Sequence, residues 1–335
     1  MITPMRAKTP KLKFIDFCAG IGGGRLGLER GMNAVCVGFS EIMKASEKTY
    51  RQLHKTNDEK NFGDLTKLTA KDLPNFDIMI AGFPCQTFSI IGQREGFTDE
   101  RGQIIYHLVR ILKEKNVPYF ILENVKGLVN HDKGRTFKII KKLLDEAGYI
   151  TEHKVINSRH TGVPQMRERI YFIGIRRDLA KNGKYIFPDE IEAPDIKDFL
   201  CDTNNEILDT DNATFQRYLN NKYNKGKHNI EKILDENYLV LDTRQSDLRL
   251  YRGVVPTLRT GRHGILYVKN KQLHKLSGFE SLLLQGFDKE ASKRVSEQKD
   301  ILESDLLSQA GNAMTVNAIE LLSKQLLAYI EGRKI

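Results

Sequence analysis

Residues 13–31 read KFIDFCAGIGGGRLGLERG, and this stretch decides how the first half of the chain folds. A β-rich apolar run ends near Phe17, a loop rich in glycine follows, and a helical spacing of apolar residues begins at Arg25. Glycine has no side chain and tolerates positive φ, so a ligand can approach the backbone of such a loop closely. The stretch therefore predicts a strand, a ligand-binding loop and a helix.

The spacing of these glycines matches a nucleotide-binding pattern. Gly22, Gly24 and Gly27 fit GxGxxG, and Glu41 follows at about the distance where an acidic residue holds the hydroxyl groups of a ribose. A dinucleotide would fit this loop, and so would S-adenosylmethionine, which also carries an adenosine but has no phosphate. A turn whose glycines serve only close packing is the alternative, because one match to this pattern is weak evidence.

The alternation of strand and helix continues through the first half of the chain. Strand-like runs lie at residues 34–39, 77–83, 118–123, 149–156 and 170–175, and helix-like runs lie at residues 41–55, 103–115 and 135–148. Such alternation predicts an α/β fold, in which a doubly wound, mostly parallel sheet is joined by right-handed helical crossovers. Ligands bind these sheets beyond the carboxyl ends of the strands.

Composition favours a folded protein with a polyanionic partner. The chain has 335 residues, 40% of them hydrophobic, and a net charge of +10. This length can bury a sizeable core, and the excess of positive charge favours nucleic acid. The four cysteines are widely spaced, so we expect neither a metal site nor a disulfide framework. No apolar run reaches the roughly 18 residues of a membrane span, and the N-terminus lacks a signal peptide, so we expect a cytoplasmic protein.

The character of the chain changes after residue 188. Residues 188–237 are polar, irregular and rich in Asn and Asp, whereas an amphipathic helical pattern returns at residues 308–330. The sequence therefore predicts a large domain made of residues 1–188 and 300–335, and a smaller domain made of residues 189–299.

Two predicted strand ends carry reactive side chains. Cys85 is a poor turn residue, and a thiolate at a strand end is stabilised by the backbone NH groups of the following turn. Glu123 ends the next strand, and a carboxyl group held out of water has a raised pKa, which suits a proton donor. A lone cysteine is more often buried and structural, and Glu123 could instead cap a turn with Asn124.

Six segments, in this order, resemble the cytosine-5 DNA methyltransferases of bacterial type. They are DFCAGIGGG (16–24), GFPCQTFS (82–89), ENVKGL (123–128), PQMRERIYFIG (164–174), LLLQGF (282–287) and QAGNAMTVNAIE (309–320). The resemblance covers residues 13–177 and about 244–330. It implies a Rossmann-like fold with a DNA-recognition domain, and transfer of a methyl group from S-adenosylmethionine to carbon 5 of cytosine in a short sequence of double-stranded DNA.

The resemblance also implies catalytic roles. Cys85 would add to carbon 6 of the cytosine, because a transient covalent bond divides one difficult step into easier ones. Glu123 would bind the ring N3 and the amino group, and Asn124 would help to hold that geometry. Arg167 and Arg169 alternate along a strand, so both would face the cytosine carbonyl and a nearby phosphate.

Binding roles follow from the same resemblance. The methyl donor would lie against Phe17, Ala19, Gly20, Gly22 and Gly23, with Glu41 on the ribose, Ile42 and Asp64 on the adenine, and Asn312 completing the pocket wall. Pro84, Gln86, Ser89, Gln165 and Thr257 would contact the substrate. The donor becomes S-adenosylhomocysteine.

The target carbon is inaccessible inside a duplex, so the base must be flipped out. Residues 89–103 are expected to form a catalytic loop that closes over it. Recognition is expected in residues 189–275, where residues 222–228, 242–253 and 257–264 supply side chains for phosphates and base edges. The resemblance further implies a monomer at the bacterial nucleoid, with a restriction endonuclease acting separately.

Three other functions compete with this interpretation. An NAD-dependent oxidoreductase would explain the glycine pattern and a catalytic cysteine, but it leaves the PCQ, ENV and QMRER segments unexplained. A transfer-RNA cytosine methyltransferase shares nearly all the motifs. The last is an inactive DNA-binding relative, which the presence of both Cys85 and Glu123 disfavours.

Overall fold

The structure is a computed structural model, and it describes residues 11–84 and 104–333. The predicted nucleophile Cys85, the predicted substrate contacts Gln86 and Ser89, and the predicted catalytic loop at residues 89–103 lie outside the described residues.

A six-stranded central sheet forms the first half of the chain, and it confirms the predicted α/β class with a mostly parallel sheet. The strands up to the end of this sheet are β1 (Lys13–Phe17), β2 (Val35–Ser40), β3 (Ile78–Gly82), β4 (Tyr119–Val125), β5 (Tyr149–Asn157), β6 (Gln165–Met166) and β7 (Glu168–Arg176). The sheet order is β2-β1-β3-β4-β7-β5. The glycine loop, residues 18–22, leaves β1 at its carboxyl end.

One strand of the central sheet runs against the others. β7 is antiparallel to both of its neighbours, β4 and β5, whereas β1 to β4 pair in parallel. A parallel crossover takes a dozen residues or more, usually with a helix. The link from β5 to β7 holds only residues 158–167, so the chain returns in the opposite direction.

Helices cover both faces of the central sheet. The first four are α1 (Gly23–Met32), α2 (Lys44–His54), α3 (Ile104–Glu114) and α4 (Arg135–Glu146). Leu108 and Ile140 belong to a buried cluster with Phe120 on one face, while Leu28 belongs to a cluster with Ile121 on the other. Each helix therefore buries its apolar side against the sheet, as its periodicity predicts.

A second, antiparallel sheet, called here the small sheet, lies in the later half. The remaining elements up to its end are β8 (Ile207–Leu208), α5 (Ala213–Leu219), α6 (Ile230–Leu234), β9 (Val240–Asp242), β10 (Arg249–Tyr251), β11 (Val255–Pro256), β12 (Ile265–Lys269) and β13 (Gln272–Lys275). The small sheet has the order β10-β9-β12-β13-β8. β11 is outside it and pairs in parallel with β6, so it joins the two halves of the chain.

Four helices follow: α7 (Gly278–Leu284), α8 (Lys289–Ser296), α9 (Glu303–Asn312) and α10 (Val316–Ile330). The helical pattern predicted at residues 308–330 is thus divided between α9 and α10, with a break at residues 313–315. Ala313 is extended, with φ −63° and ψ 145°. α10 returns to the central sheet and packs along α1. Among the described residues, no helix is long and apolar enough to cross a membrane.

Candidate functional site

The glycine loop is open at one residue and packed at two others. Gly20 has a φ of +56°, and a Cβ built there would meet no atom within 4 Å. A Cβ on Gly22 would instead collide with the ring of His54, and one on Gly23 with the carbonyl oxygen of Met314. Gly20 can therefore approach a ligand, whereas the protein's own packing requires glycine at Gly22 and Gly23.

Glu41 is fixed against the glycine loop by hydrogen bonds. Its Oε2 accepts from the Gly20 amide at 2.8 Å, and its Oε1 accepts from the Met43 amide at 2.7 Å. Asn61 holds the backbone of Glu41 from the other side, since its Oδ1 accepts the Glu41 amide at 3.1 Å and the Gly63 amide at 2.9 Å. Asn61 was not predicted, although it stands three residues before Asp64 in the same segment.

Ile42 and Asp64 border the same edge of the sheet. The Ile42 side chain is 68% exposed, so its apolar surface is open at this edge. Asp64 Oδ1 accepts hydrogen bonds from the amide and hydroxyl of Thr66, at 3.0 and 2.7 Å. The hydrogen bonds from Thr66 hold the pKa of Asp64 below its usual range. Asp64 is therefore a carboxylate at neutral pH, with Lys67 3.4 Å from its second oxygen.

Three other predicted donor contacts take different positions. The Phe17 side chain is fully buried in the core, with its ring centroid 6.2 Å from that of Phe76, so only its backbone can face the loop. Ala19 belongs to the loop itself, and its side chain is buried. Asn312 is exposed at the end of α9, and it is Met314 that packs against the glycines. Met314 lies in the last of the six quoted segments, but its local pattern does not distinguish it from its neighbours.

Glu123 lies at the carboxyl end of β4, directly beside Gly82 at the end of β3. It is 8% exposed, and the Arg169 Nε is 2.9 Å from its Oε1. Burial raises the pKa of Glu123, and the guanidinium groups of Arg169 and Arg167 oppose that rise. Cys85 follows Gly82 by three residues in the sequence, so the chain runs towards Cys85 from the strand end beside Glu123.

Asn124 fixes the chain on the way to Cys85. It is 1% exposed, and its Nδ2 donates to the Phe83 carbonyl at 2.9 Å. Its Oδ1 accepts the Val125 amide at 2.8 Å. Both functional groups of the amide are thus used to hold the ends of β3 and β4 together. Pro84, the last described residue before Cys85, is exposed.

Arg167 and Arg169 differ sharply, although they were predicted to act together. Arg167 is 2% exposed and donates to the carbonyls of Leu258, Gly311 and Ala313 at 3.2, 3.0 and 2.8 Å. Burial lowers its pKa to about 9. The predicted contact of Arg167 with a base or phosphate does not agree with this position, because its terminal NH groups already bind backbone oxygens. Arg169 alone faces Glu123.

Gln165 and Thr257 also hold the two halves of the chain together. The Gln165 side chain is fully buried, donates to the Leu284 carbonyl at 2.9 Å and accepts the Leu258 amide at 3.2 Å. The Thr257 hydroxyl donates to the Met166 carbonyl. A direct contact of Gln165 with substrate does not agree with its burial, whereas the side chain of Thr257 is only half-buried.

The arginines of the later half that were expected to contact DNA differ in burial and in pairing. Arg244 was expected to contact DNA but is buried in an ion pair with Asp242, at 2.7 Å. Arg249 and Arg252 were also expected to contact DNA, but Asp247 and Glu236 neutralise them in exposed ion pairs, so neither is assigned to DNA. Arg259 and Arg262 are exposed and have no ion-pair partner within residues 11–84 and 104–333. They belong to residues 257–264, called here the recognition segment.

Comparisons with known proteins agree with the six motifs. The model of the C-5 cytosine-specific DNA methylase family matches residues 12–328. The type II methyltransferase M1.ScrFI of Lactococcus lactis subsp. cremoris is 34% identical over 334 residues, which cover 98% of this chain and 81% of that protein. The orphan methyltransferase M.Rho11sI of Bacillus phage rho11s is 44% identical over 177 residues, or 52% of this chain, and the match spans only 35% of that protein's length.

A solved structure supports the fold. The Entamoeba histolytica methyltransferase EhMeth superposes with a TM-score of 0.68 at 19% identity, covering 96% of this chain and 98% of that chain. At this identity the likeness concerns the fold alone. The family model, in contrast, spans nearly the whole sequence, and M1.ScrFI is similar across almost all of it. The resemblance seen in the motifs is therefore confirmed, and the chain belongs to the C-5 cytosine-specific DNA methylase family.

Proposed function

We propose that this protein transfers a methyl group from S-adenosylmethionine to carbon 5 of cytosine within a short sequence of double-stranded DNA. Membership of the family supports this reaction. The observation that carries the proposal is the buried Glu123–Arg169 ion pair, which stands beside the strand end that leads through Pro84 to Cys85. That edge offers an acid, a cation and a thiol for one flipped-out base.

Each catalytic residue has a chemical task in this reaction. The Cys85 thiolate bonds to carbon 6 of the cytosine and pushes electron density onto carbon 5. Glu123 supplies the proton at N3, so the adduct does not carry a full negative charge. Carbon 5 then bonds to the methyl group of the donor, and the donor's sulfur leaves with the electrons of the broken bond, giving S-adenosylhomocysteine. Loss of the carbon 5 proton to water, elimination of the Cys85 thiolate and return of the N3 proton to Glu123 restore the aromatic ring. A carboxyl group whose pKa is raised by burial suits a proton donor near neutral pH.

Arg169 has two tasks at this edge. Its ion pair with Glu123 holds the carboxyl group in one orientation, and its guanidinium can donate to the carbonyl oxygen of a bound cytosine. The cation also opposes the rise in the pKa of Glu123 that burial causes. The carboxyl group can therefore still release its proton.

The donor site fits the residues that surround the glycine loop. Gly20 leaves open space at the loop, Glu41 presents a fixed carboxylate for the ribose hydroxyl groups, and Ile42 offers an exposed apolar surface for the adenine. The Asp64 carboxylate can accept a hydrogen bond from the adenine amino group. S-adenosylmethionine, when bound, supplies the electrophilic methyl group, and the protein supplies position.

DNA binding is assigned to the later half of the chain. Residues 189–299 form the proposed recognition domain, which contains the whole small sheet. Arg259 and Arg262 project from the recognition segment without ion-pair partners among the described residues, so they are the cations we assign to phosphates or guanine edges. We further propose that the protein acts as a monomer and that any cognate endonuclease works separately.

The assay that tests this function uses tritiated S-adenosylmethionine with unmethylated genomic DNA and total transfer RNA in parallel. Bisulfite sequencing then locates the methylated cytosines. Label in DNA at one short recurrent sequence is the expected result. Label in transfer RNA alone would move the activity to RNA, and no label with intact donor binding would indicate an inactive DNA-binding protein.

A further inference from the structure

The short segment from Gln165 to Arg169 contacts two parts of the protein at once. Gln165 lies in β6, Arg169 lies in β7, and Arg167 stands in the break between these two strands. Gln165 and Arg167 bind the amide and the carbonyl of Leu258, in the recognition segment. Arg169 binds Glu123. Arg167, which holds the recognition segment, therefore stands directly before β7, and Arg169, which holds the catalytic carboxylate, is the second residue of that strand.

A second arginine holds the recognition segment from the other side. The Arg244 guanidinium binds both carboxylate oxygens of Asp242, at 2.7 and 2.8 Å, and its Nη1 donates to the Thr257 carbonyl at 2.8 Å. Both side chains of the ion pair are less than a tenth exposed. The Asp242–Arg244 fork is rigid because it is bidentate and out of water. The fork thus fixes Thr257, which is next to Leu258, the residue that Arg167 holds.

The rest of the recognition segment lies between a cavity and α9, where the backbone of Arg259 and Thr260 packs against Gly311. Residues 258, 259 and 262–264 line a cavity of about 400 Å³ that also reaches the small sheet and Leu307 of α9. Beyond Leu258 the segment is attached to α9 and to the residue after β9. The Ser308 carbonyl accepts from the Thr260 hydroxyl at 2.9 Å, His263 contacts the Ser308 hydroxyl at 3.0 Å, and the Gly264 carbonyl accepts from the Thr243 hydroxyl at 2.9 Å. The carbonyls of Thr257 and Leu258 are the points at which buried arginines hold the segment.

We propose that Arg167 and Arg244 form a two-arginine clamp on residues 257 and 258, which positions the recognition segment and couples its fit on DNA to the setting of Glu123. The inference rests on the proposed function. Both arginines are positioning residues, because neither is exposed enough to touch a base. While both arginines hold residues 257 and 258, a mismatched target can move the recognition segment only if β7, which carries Arg169, moves with it. With the clamp loosened, the segment adapts to a mismatched target at little cost.

The test compares Arg244→Lys with Arg249→Lys. Lysine keeps the charge but cannot bind two Asp242 oxygens and the Thr257 carbonyl together. Arg249 is a matched control, because it pairs with Asp247 two residues before it, as Arg244 does with Asp242, but on the exposed surface. Each protein methylates a duplex library, and sequencing gives the ratio of methylation at single-mismatch sites to methylation at the wild-type target.

Arg244→Lys is expected to raise this mismatch ratio about tenfold, the order of one lost hydrogen bond to a charged group. For Arg244→Lys, the KM for DNA should rise and the KM for the methyl donor should not change. A general loss of structure would change both. Arg167→Lys is expected to lower kcat on the target by a similar factor. Arg249→Lys should behave as wild type.

A folded Arg244→Lys protein with the wild-type mismatch ratio would overturn the clamp. If that variant unfolds, Asp242→Asn loosens the fork with a smaller change, and Asp247→Asn is its control; an unchanged ratio there overturns the clamp equally. A wild-type protein that methylates no DNA would refute the proposed function itself, which is a separate and recognisable outcome.

Discussion

At the scale of single residues, the proposed chemistry depends on how the protein sets the charge of Glu123. Burial at the sheet edge favours the neutral acid, while Arg169 at 2.9 Å favours the carboxylate. A proton donor must be protonated before it acts, so the balance between these two effects decides the pH range of activity. The position of Glu123 beside a strand end was evident in the sequence. Its pairing with Arg169 alone, and not with both arginines, was not evident.

Glu123→Gln tests the proton-donor role. Glutamine keeps the size and one hydrogen-bond donor but has no acidic proton, so kcat should fall by about 10²–10⁴-fold, the usual contribution of general acid catalysis. Donor affinity, measured by calorimetry, should stay at the wild-type value because Glu123 lies on a different strand end from the glycine loop. Activity within a factor of a few of wild type would exclude Glu123 as the proton donor.

Arg169→Met predicts a shift in pH dependence with a definite sign. The single-turnover rate should fall as pH rises through the raised pKa of Glu123, because the protonated acid is lost. The Arg169 cation lowers that pKa, so its removal should move the descending limb to higher pH. A limb that stays in place, or moves to lower pH, would show that another group produces it.

At the scale of elements, the glycines of the loop after β1 and of α1 serve two different purposes. Gly20 faces open space at the loop, whereas Gly27 lies against α10, where an added Cβ would come within 2.5 Å of the Ile319 Cβ. The GxGxxG match at Gly22, Gly24 and Gly27 contains only glycines that pack against other side chains, and the open Gly20 lies outside it. The contact of α1 with α10 joins residues from nearly opposite ends of the sequence. A local pattern therefore cannot show which glycine packs on a helix and which stays open to a ligand.

Gly27→Ala should destabilise the fold by about 1–3 kcal/mol, the usual cost of overpacking, because the methyl group would press on Ile319. Urea unfolding measures the change. Gly127→Ala is the control, since a Cβ there would meet its nearest atom at 4.0 Å and should change stability by less than about 0.5 kcal/mol. Equal stability of both variants with the wild type would show that α1 and α10 do not pack this closely.

Local patterns predicted the strands and helices of the first half well, because each has its own apolar periodicity. They did not predict the reversed direction of β7, which follows from the short link at residues 158–167. They also did not predict that the last helical pattern breaks at residue 313, where a carbonyl turns to accept Arg167. Buried arginines such as Arg167 and Arg244 look like surface charges in a sequence, because only long-range contacts supply their partners.

At the scale of the whole molecule, the net charge of +10 does not by itself show which cations are available to DNA. Arg167 and Arg244 are buried, and many surface arginines are neutralised by a nearby carboxylate, as in the Arg249–Asp247 pair. Arg259 and Arg262 differ, because they are exposed and lack such a partner among the described residues. Composition therefore indicated a polyanionic partner, but the structure was needed to choose the side chains.

DNA affinity should fall linearly on a logarithmic plot against salt concentration, because each phosphate contact releases counterions. Arg262→Gln should weaken binding on all sequences and reduce the slope by about one if its partner is a phosphate. Arg249→Gln should leave the slope nearly unchanged, since its charge is already paired with Asp247. Equal slopes for wild type and the Arg262 variant would remove Arg262 from the phosphate contacts.

The central claim is a covalent bond between Cys85 and the target cytosine, and trapping that bond tests it most directly. A duplex with 5-fluorocytosine at the target position, incubated with protein and S-adenosylmethionine, should give a complex that survives denaturing electrophoresis, because fluorine cannot leave as a cation. Peptide mapping should place the adduct on Cys85, and Cys85→Ser should give no complex. A trapped complex formed equally by Cys85→Ser, or none with active wild-type protein, would contradict the proposed mechanism.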